Sequence, residues 1–186
     1  LSFVAAPDYE APADAGANNV YDVIVQASDG TLTDTQAIAV TVTPANDNAP
    51  VISSNGGGAT AAVSVAENSS AVTTVTASDA DLPAQTLTYS ISGGADAASF
   101  SIDVNSGVLA FVVAPNHEAP ADANADNIYV VIVQASDGSF TGTQTLSVTV
   151  TNVNEAPVIT SNGGGASASV SAAENQTAVS TVASSD

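Results

Sequence analysis

Apolar and polar residues alternate over short stretches of the chain, and the alternation stops and restarts at turn-forming residues. In TLTYSIS (86–92) Leu87, Tyr89 and Ile91 fall on one face. Tyr129, Val131, Val133 and Ala135 do the same in NIYVVIVQA (127–135), as do Leu146, Val148 and Val150 in LSVTVT (146–151). A period of 2 is that of a β-strand with one face buried. Weaker segments of this kind are AAVSVA (61–66), AVTTVTA (71–77), SFSID (99–103) and VLAFVV (108–113). Between them lie the turn signals NGGG (55–58), GGAD (93–96), NSG (105–107) and SDG (136–138). No segment carries a helical apolar stripe. The pattern predicts seven strands in about 107 residues, hence an all-β fold, a Greek-key β-sandwich of immunoglobulin type.

The pattern also repeats. Leu1 recurs as Leu109, Glu10 as Glu118, Asp29 as Asp137, Glu67 as Glu174 and Asp79 as Asp186. One residue is lost where NDNAP (46–50) becomes NEAP (154–157). A period of about 108 residues is one small domain, too long for a solenoid turn or a propeller blade. Residues 51–157 are therefore read as one complete repeat, residues 1–50 as the C-terminal half of a preceding one, and residues 158–186 as the N-terminal part of the next. The expectation is tandem β-sandwiches, with this chain a window on a longer array.

Composition narrows the chemistry. The 186 residues include 19 Asp plus Glu, one His, and no Lys, Arg, Cys, Met or Trp, for a net charge of −19. A hydrophobic content of 45% is enough for packed cores. No apolar run approaches the roughly 18 residues of a membrane span. Nucleic-acid binding is excluded for want of cations to displace counterions, and a disulfide scaffold for want of cysteine. Two carboxylates about 4 Å apart repel by roughly 1 kcal/mol in water and about 4 kcal/mol at an effective dielectric near 20. With no internal cation, clustered acids must take a counterion from solution, and for all-oxygen donors that ion is calcium. The other reading of the same composition is a generally acidic, soluble surface.

The acids gather at strand ends. Glu67 lies in VAEN, Asp79 and Asp81 in DAD, Glu118 in PNHE, and Asp137 in ASDG; Asn152, Asn154 and Glu155 lie in the connector that follows. The preceding half-repeat carries Asp8 and Glu10 in PDYE, Asp29 in ASDG, and Asn46, Asp47 and Asn48 in its own connector. DAD and PDYE have period-2 spacing, so both carboxylates of each leave one side of an extended segment.

This arrangement resembles the cadherin family, whose repeats carry an early Glu, a D-x-D, a D-x-E, an Asp in an A-x-D-x-G-like strand end and a D-x-N-D-N-A-P connector. SFSIDVNSGVLAF (99–111) is similar to the family's F-x-I-D-x-x-x-G-x-L-x-F signature. The Ala/Thr/Ser/Val-rich, cysteine-free character is closest to bacterial cadherin-like repeats of large surface adhesins. The resemblance implies three calcium ions at each junction between repeats. At the first junction the donors would be Asp8, Glu10, Asn46, Asp47, Asn48, Asp79, Asp81 and Asp137. At the second they would be Glu67, Glu118, Asn152, Asn154, Glu155 and Asp186, while Asp29 would serve a junction upstream. The chain departs from the family where the first connector has Pro44 and the second Asn152 in place of Asp, where Asn116 replaces the Asp of PDYE, and where the second connector is one residue shorter. Weaker ion binding is expected at the second junction.

The function expected is a calcium-binding structural and adhesive repeat of a large extracellular or cell-surface protein, stiffened at its junctions by calcium. Its partners would be neighbouring repeats, with homotypic contacts or filament assembly beyond them, and no membrane insertion. The alternative is a carbohydrate- or protein-recognising module of a secreted enzyme. An enzyme is not expected: His117 aligns with Tyr9 and has no nucleophile elbow near it. A glycosidase carboxylate pair would have no Trp to stack a sugar. Asn68 and Asn175 head glycosylation sequons. A further local metal site among Asp14, Asp122 and Asp126 is a secondary expectation.

Overall fold

The computed structural model describes residues 1–185. The strands in chain order are β1 (Val20–Ser28), β2 (Thr33–Thr41), β3 (Val51–Ile52), β4 (Thr60–Ala66), β5 (Ala71–Thr74), β6 (Ala77–Ser78) and β7 (Thr88–Gly93). They continue with β8 (Phe100–Ile102), β9 (Val108–Phe111), β10 (Ile128–Ser136), β11 (Thr141–Thr151), β12 (Val158–Ile159) and β13 (Ser184–Ser185). Residues Leu1–Thr151 form one compact unit, and the chain from Asn152 onward forms a second.

The period-2 strands do what their pattern demands. β10 and β11 form an antiparallel pair running from Ile128↔Thr149 to Ser136↔Thr141. Tyr129, Val131, Val133 and Ala135 are buried on one side of β10, and Leu146, Val148 and Val150 on the matching side of β11. β4 adds to β11 in parallel and β7 to β10 antiparallel, giving the order β4-β11-β10-β7. A second sheet of order β5-β9-β8 faces it with Phe100, Leu109 and Phe111 turned inward. Phe111 stacks on Phe100 with centroids 4.6 Å apart and meets Tyr129 edge-on at 5.0 Å, so the aromatic cluster stitches the two sheets into a β-sandwich.

The segment expected as one strand at 71–77 is two. β5 pairs with β9, whereas β6 pairs with β3. Val75, fully buried between them, gives its N–H to Gly107 O at 2.8 Å. The chain crosses there from one sheet partner to another, which no period along the sequence reveals. The short β3 was not expected either. It follows the connector directly, and its two-residue pairing with β6 recurs as β12 with β13, Val158↔Ser185 and Ile159↔Ser184.

Residues 1–50 contribute the β1–β2 hairpin, registered from Val20↔Thr41 to Ser28↔Thr33. It matches β10–β11 residue for residue, down to Phe3 lying edge-on to Tyr21 at 5.0 Å as Phe111 does to Tyr129.

Candidate metal centre

Three short segments of the first unit meet: the PDYE loop, the NDN connector and the DAD loop after β6. Each is nonregular backbone, so its N–H groups are not spent on a ladder and turn instead to carboxylates. Asp8 Oδ1 accepts from Glu10 N at 2.9 Å and Ala11 N at 3.1 Å, which closes PDYE into a turn. Glu10 then reaches the DAD loop, accepting from Leu82 N at 3.1 Å. Asp79 Oδ1 accepts from Asp81 N at 3.0 Å. Asp81, only 1% exposed, accepts from the Asn48 side chain at 2.7 Å and from the Asn48 backbone N–H at 3.2 and 3.3 Å.

The outcome is two triads of carboxylates that share Asp81. One oxygen each from Glu10, Asp47 and Asp81 lies within 4.8 Å of the others, and the same holds for Asp79, Asp81 and Asp137. Asp137 serves two ends at once. Its Oδ1 caps the SDG turn, accepting from Ser139 N at 2.6 Å and Phe140 N at 2.7 Å, while its Oδ2 lies 3.2 Å from the Asn46 amide. Turn capping and site formation are therefore not rival roles for this residue. Asp29 makes the same turn through Thr31 N and Leu32 N, both at 2.8 Å, and joins neither triad.

Electrostatics carry the mark of a crowded site. Partial desolvation, then the charges of Asp81 and Glu10, raise the Asp47 carboxyl above its ordinary value. Asp81 is lowered, chiefly by the Asn48 side-chain amide. Backbone N–H groups of Phe140 and Ser139 lower Asp137. Asp79 Oδ2 is buried with no hydrogen-bond partner among the described residues. A carboxylate oxygen buried without a donor, beside two further carboxylates, is the feature a bound cation would relieve. The donors are carboxylate and amide oxygens, a set that suits a hard divalent ion.

The remaining sequence-derived residues are not members of either triad. Glu67 is 3% exposed and accepts from His117 N at 2.8 Å, which fixes the PNHE loop. Glu118 lies 3.6 Å from His117 Nδ1, an imidazole that is half-exposed. Asn152, Asn154 and Glu155 are exposed residues of the second unit, and Asp186 lies outside the described residues.

Asp14 and Asp122 cap their own loops, and neither they nor Asp126 fall in a group of three metal-capable side chains among the described residues. Asp14 accepts from Gly16, Asn18 and Asn19 N–H groups at 3.0–3.1 Å. Asp122 accepts from Asp126 and Asn127 N–H groups at 2.9 and 3.1 Å. Each carboxylate staples its own loop, and the loop in turn braces the acidic segment: Asn19 Nδ2 donates to Tyr9 O and Asn127 Nδ2 to His117 O. These staples were missed at the sequence level. Their only signal was the shared spacing of Asp14 with Asn19 and Asp122 with Asn127 in both repeats. Asp96 was missed too; it is buried and joins two distant segments through Ala123 N and Val130 N, both at 2.7 Å.

A family model for the cadherin domain matches residues 61–151. Human Protocadherin Fat 1 is 32% identical over 157 residues, 80% of this chain and 3% of that protein. Protein dachsous of Drosophila melanogaster is 38% identical over 119 residues, 62% of this chain and again 3% of the relative. Among solved structures, Protocadherin Gamma B7 extracellular cadherin domains 1–4 superpose with a TM-score of 0.58 at 27% identity, covering 80% of this chain and 36% of that one. Protocadherin Gamma B2 extracellular cadherin domains 3–6 give 0.57 at 28% identity, with the same coverage. The chain carries a cadherin-like repeat.

Proposed function

We propose that this chain is a calcium-binding spacer of a long extracellular or cell-surface adhesive protein, with repeats divided at 50/51 and 157/158 and calcium held where they adjoin. The observation that carries the reading is the pair of carboxylate triads sharing Asp81, in a chain with no Lys or Arg to neutralise them. Asp8, Glu10, Asn46, Asp47, Asn48, Asp79, Asp81 and Asp137 are the donors proposed at the first junction, and similarity to extracellular cadherin domains supports calcium as the ion. By repeat equivalence Glu67, Glu118, Asn152, Asn154, Glu155 and Asp186 are proposed for the second and Asp29 for one upstream. Bound calcium would supply the positive charge that the chain lacks. The chain's own residues contribute the fixed geometry: Asp8 shapes the loop that presents Glu10, Glu10 reaches Leu82, and Asn48 holds Asp81 in place. The adhesive partner would be a further copy or a neighbouring protein at the cell surface. The bacterial-adhesin reading rests on the cysteine-free, Ala/Thr/Ser/Val-rich composition.

A ligand that binds only the folded state at a hundred times its dissociation constant stabilises it by about 2.7 kcal/mol. Calcium should therefore raise the melting temperature of the parent chain. The double variant Asp79→Asn with Asp81→Asn should lose most of that rise, and its difference from the parent in chelator should shrink or reverse. A loss of the same size with and without calcium would show that the pair only shapes a turn.

A further inference from the structure

The side-chain amide of Asn46 lies between two partners with opposite needs. Its inner end is 3.3 Å from Asp81 Oδ2 and 3.2 Å from Asp137 Oδ2. Its outer end is 2.9 Å from Gln85 Oε1 and 3.2 Å from Gln85 Nε2. Both carboxylates only accept. An N–H at the inner end is satisfied by them with no ion present. An oxygen there makes a set of three mutually facing oxygens, which holds together only around a cation. The outer end reverses the demand: an N–H there needs the Gln85 oxygen, and an oxygen there needs the Gln85 N–H. Gln85 presents both atoms to the same Asn46 atom, so it serves either orientation from one place.

We infer that Asn46 and Gln85 form a two-position amide relay, turning an oxygen into the acidic cluster when a cation is bound and an N–H into it when the cation leaves. The inference rests on the cation-site reading given under Proposed function. In a chain with no Lys or Arg, the inward N–H takes the place of the departed ion and spares Asp81 and Asp137 their full repulsion. The ion must displace that N–H to bind, so the relay also holds its affinity below what bare carboxylates would give. Gln85 is thus a positioning residue. It gives the outer end of Asn46 a partner in either orientation, so that the inner end is free to turn.

A double-mutant cycle on the full chain tests this with calcium itself as the probe, using the parent, Gln85→Glu, Asn46→Asp and the two combined. A carboxylate at position 85 only accepts, so it serves only the orientation with the Asn46 oxygen inward. Gln85→Glu should raise calcium affinity, read by calorimetry at the sites that Asp79→Asn with Asp81→Asn removes, and lower the melting temperature in chelator. The added charge attracts calcium in any background, but the Asn46→Asp variant has oxygens at both ends of that side chain and nothing to turn. The gain should therefore be larger in the parent background than in the Asn46→Asp background by a factor of roughly 3 to 10, the worth of one net hydrogen bond. Equal gains in both backgrounds would overturn the relay while leaving the cation site intact. In the parent, the side-chain amide resonances of both Asn46 and Gln85 should move on calcium addition, and a stationary Gln85 amide would likewise overturn it. If no chain shows calcium-dependent heat or melting, the site reading itself fails and takes the relay with it.

Discussion

The Asn48 side-chain amide donates to Asp81 Oδ1 at 2.7 Å, and the Asn48 backbone N–H reaches both oxygens of the same carboxylate. A connector residue thereby fixes the one carboxylate that both triads share. In most proteins an ammonium or guanidinium would neutralise an acid with 1% exposure; here amide N–H groups carry that task, those of Asn48 foremost. Removing the side-chain donor in Asn48→Ala takes from Asp81 its 2.7 Å hydrogen bond. The expected outcome is a melting temperature several degrees lower in chelator and a smaller deficit in saturating calcium, where the ion takes over the stabilising role. Differential scanning calorimetry in the two conditions reads both, and an equal deficit in each would assign Asn48 to the fold alone.

The NSG turn makes a contrasting case, since it has no part in the acidic site. Gly107 has φ +70°, and a Cβ there would run into Val75 O, the acceptor side of the crossing point between β5 and β6. Gly107→Ala should cost about 1–3 kcal/mol through the left-handed backbone and the clash together. The loss should be the same in calcium and in chelator. Urea unfolding with and without calcium checks it, and a calcium-dependent difference would mean that the turn is coupled to the acidic cluster.

Asp122 separates a loop staple from a metal ligand. Asp122 is 7% exposed, and its carboxylate accepts from Asp126 and Asn127 N–H groups. Asp122→Asn keeps one acceptor oxygen and should melt only slightly lower, whereas Asp122→Ala should lose both bonds and melt clearly lower. Neither should change the number of calcium ions bound. Fewer ions bound in calorimetry of Asp122→Asn would assign Asp122 to a local metal site instead.

The strands with unbroken alternation were legible in the sequence because one face of each is wholly buried. β10 and β11 place Tyr129, Val131, Val133, Leu146, Val148 and Val150 where their period put them. The split at Val75–Thr76 was not legible, because a strand changing partners keeps its alternation; only the pairing of Val75 N with Gly107 O marks it. In the site, Glu10, Asp79 and Asp81 were legible from like charges at period 2, and Asp47 and Asp137 from the resemblance to cadherin repeats. Glu10, Asp47, Asp79, Asp81 and Asp137 do come together. The neutral members were harder to read. Gln85, Asn19 and Asn127 act through amide contacts whose partners lie 39, 10 and 10 residues away. An amide has no charge to need explaining, so only the recurring spacing of Asn19 and Asn127 from Asp14 and Asp122 set those two apart, and nothing set Gln85 apart.

Acid should separate the ion-free and ion-bound chains more sharply than any substitution. Asp47 is raised above the ordinary aspartate value of 3.8, so in chelator the folded chain takes up its proton at a higher pH than the unfolded chain does. As pH falls toward 3.8, folded stability should rise, because a charge crowded by Asp81 and Glu10 is removed. Asp81, Asp103 and Asp137 have the opposite sign. Each is lowered by hydrogen bonds to its charged form, so its contribution is present above 3.8 and is lost as pH drops through the folded value. The melting temperature in chelator should therefore pass through a maximum on the acid side of neutrality and then fall. In excess calcium the ion binds the deprotonated cluster, protons compete with it, and the melting temperature should fall from neutrality downward without a maximum. Relief of the net charge of −19 adds to the acid gain in chelator, so Asp47→Asn is the control. It should flatten the part of the rise that belongs to Asp47 and leave the rest. Melting curves between about pH 7 and pH 3 would decide the matter. If the profile has the same shape with and without calcium, the acidic cluster does not exchange protons for a bound ion, and the metal-centre reading loses its electrostatic basis.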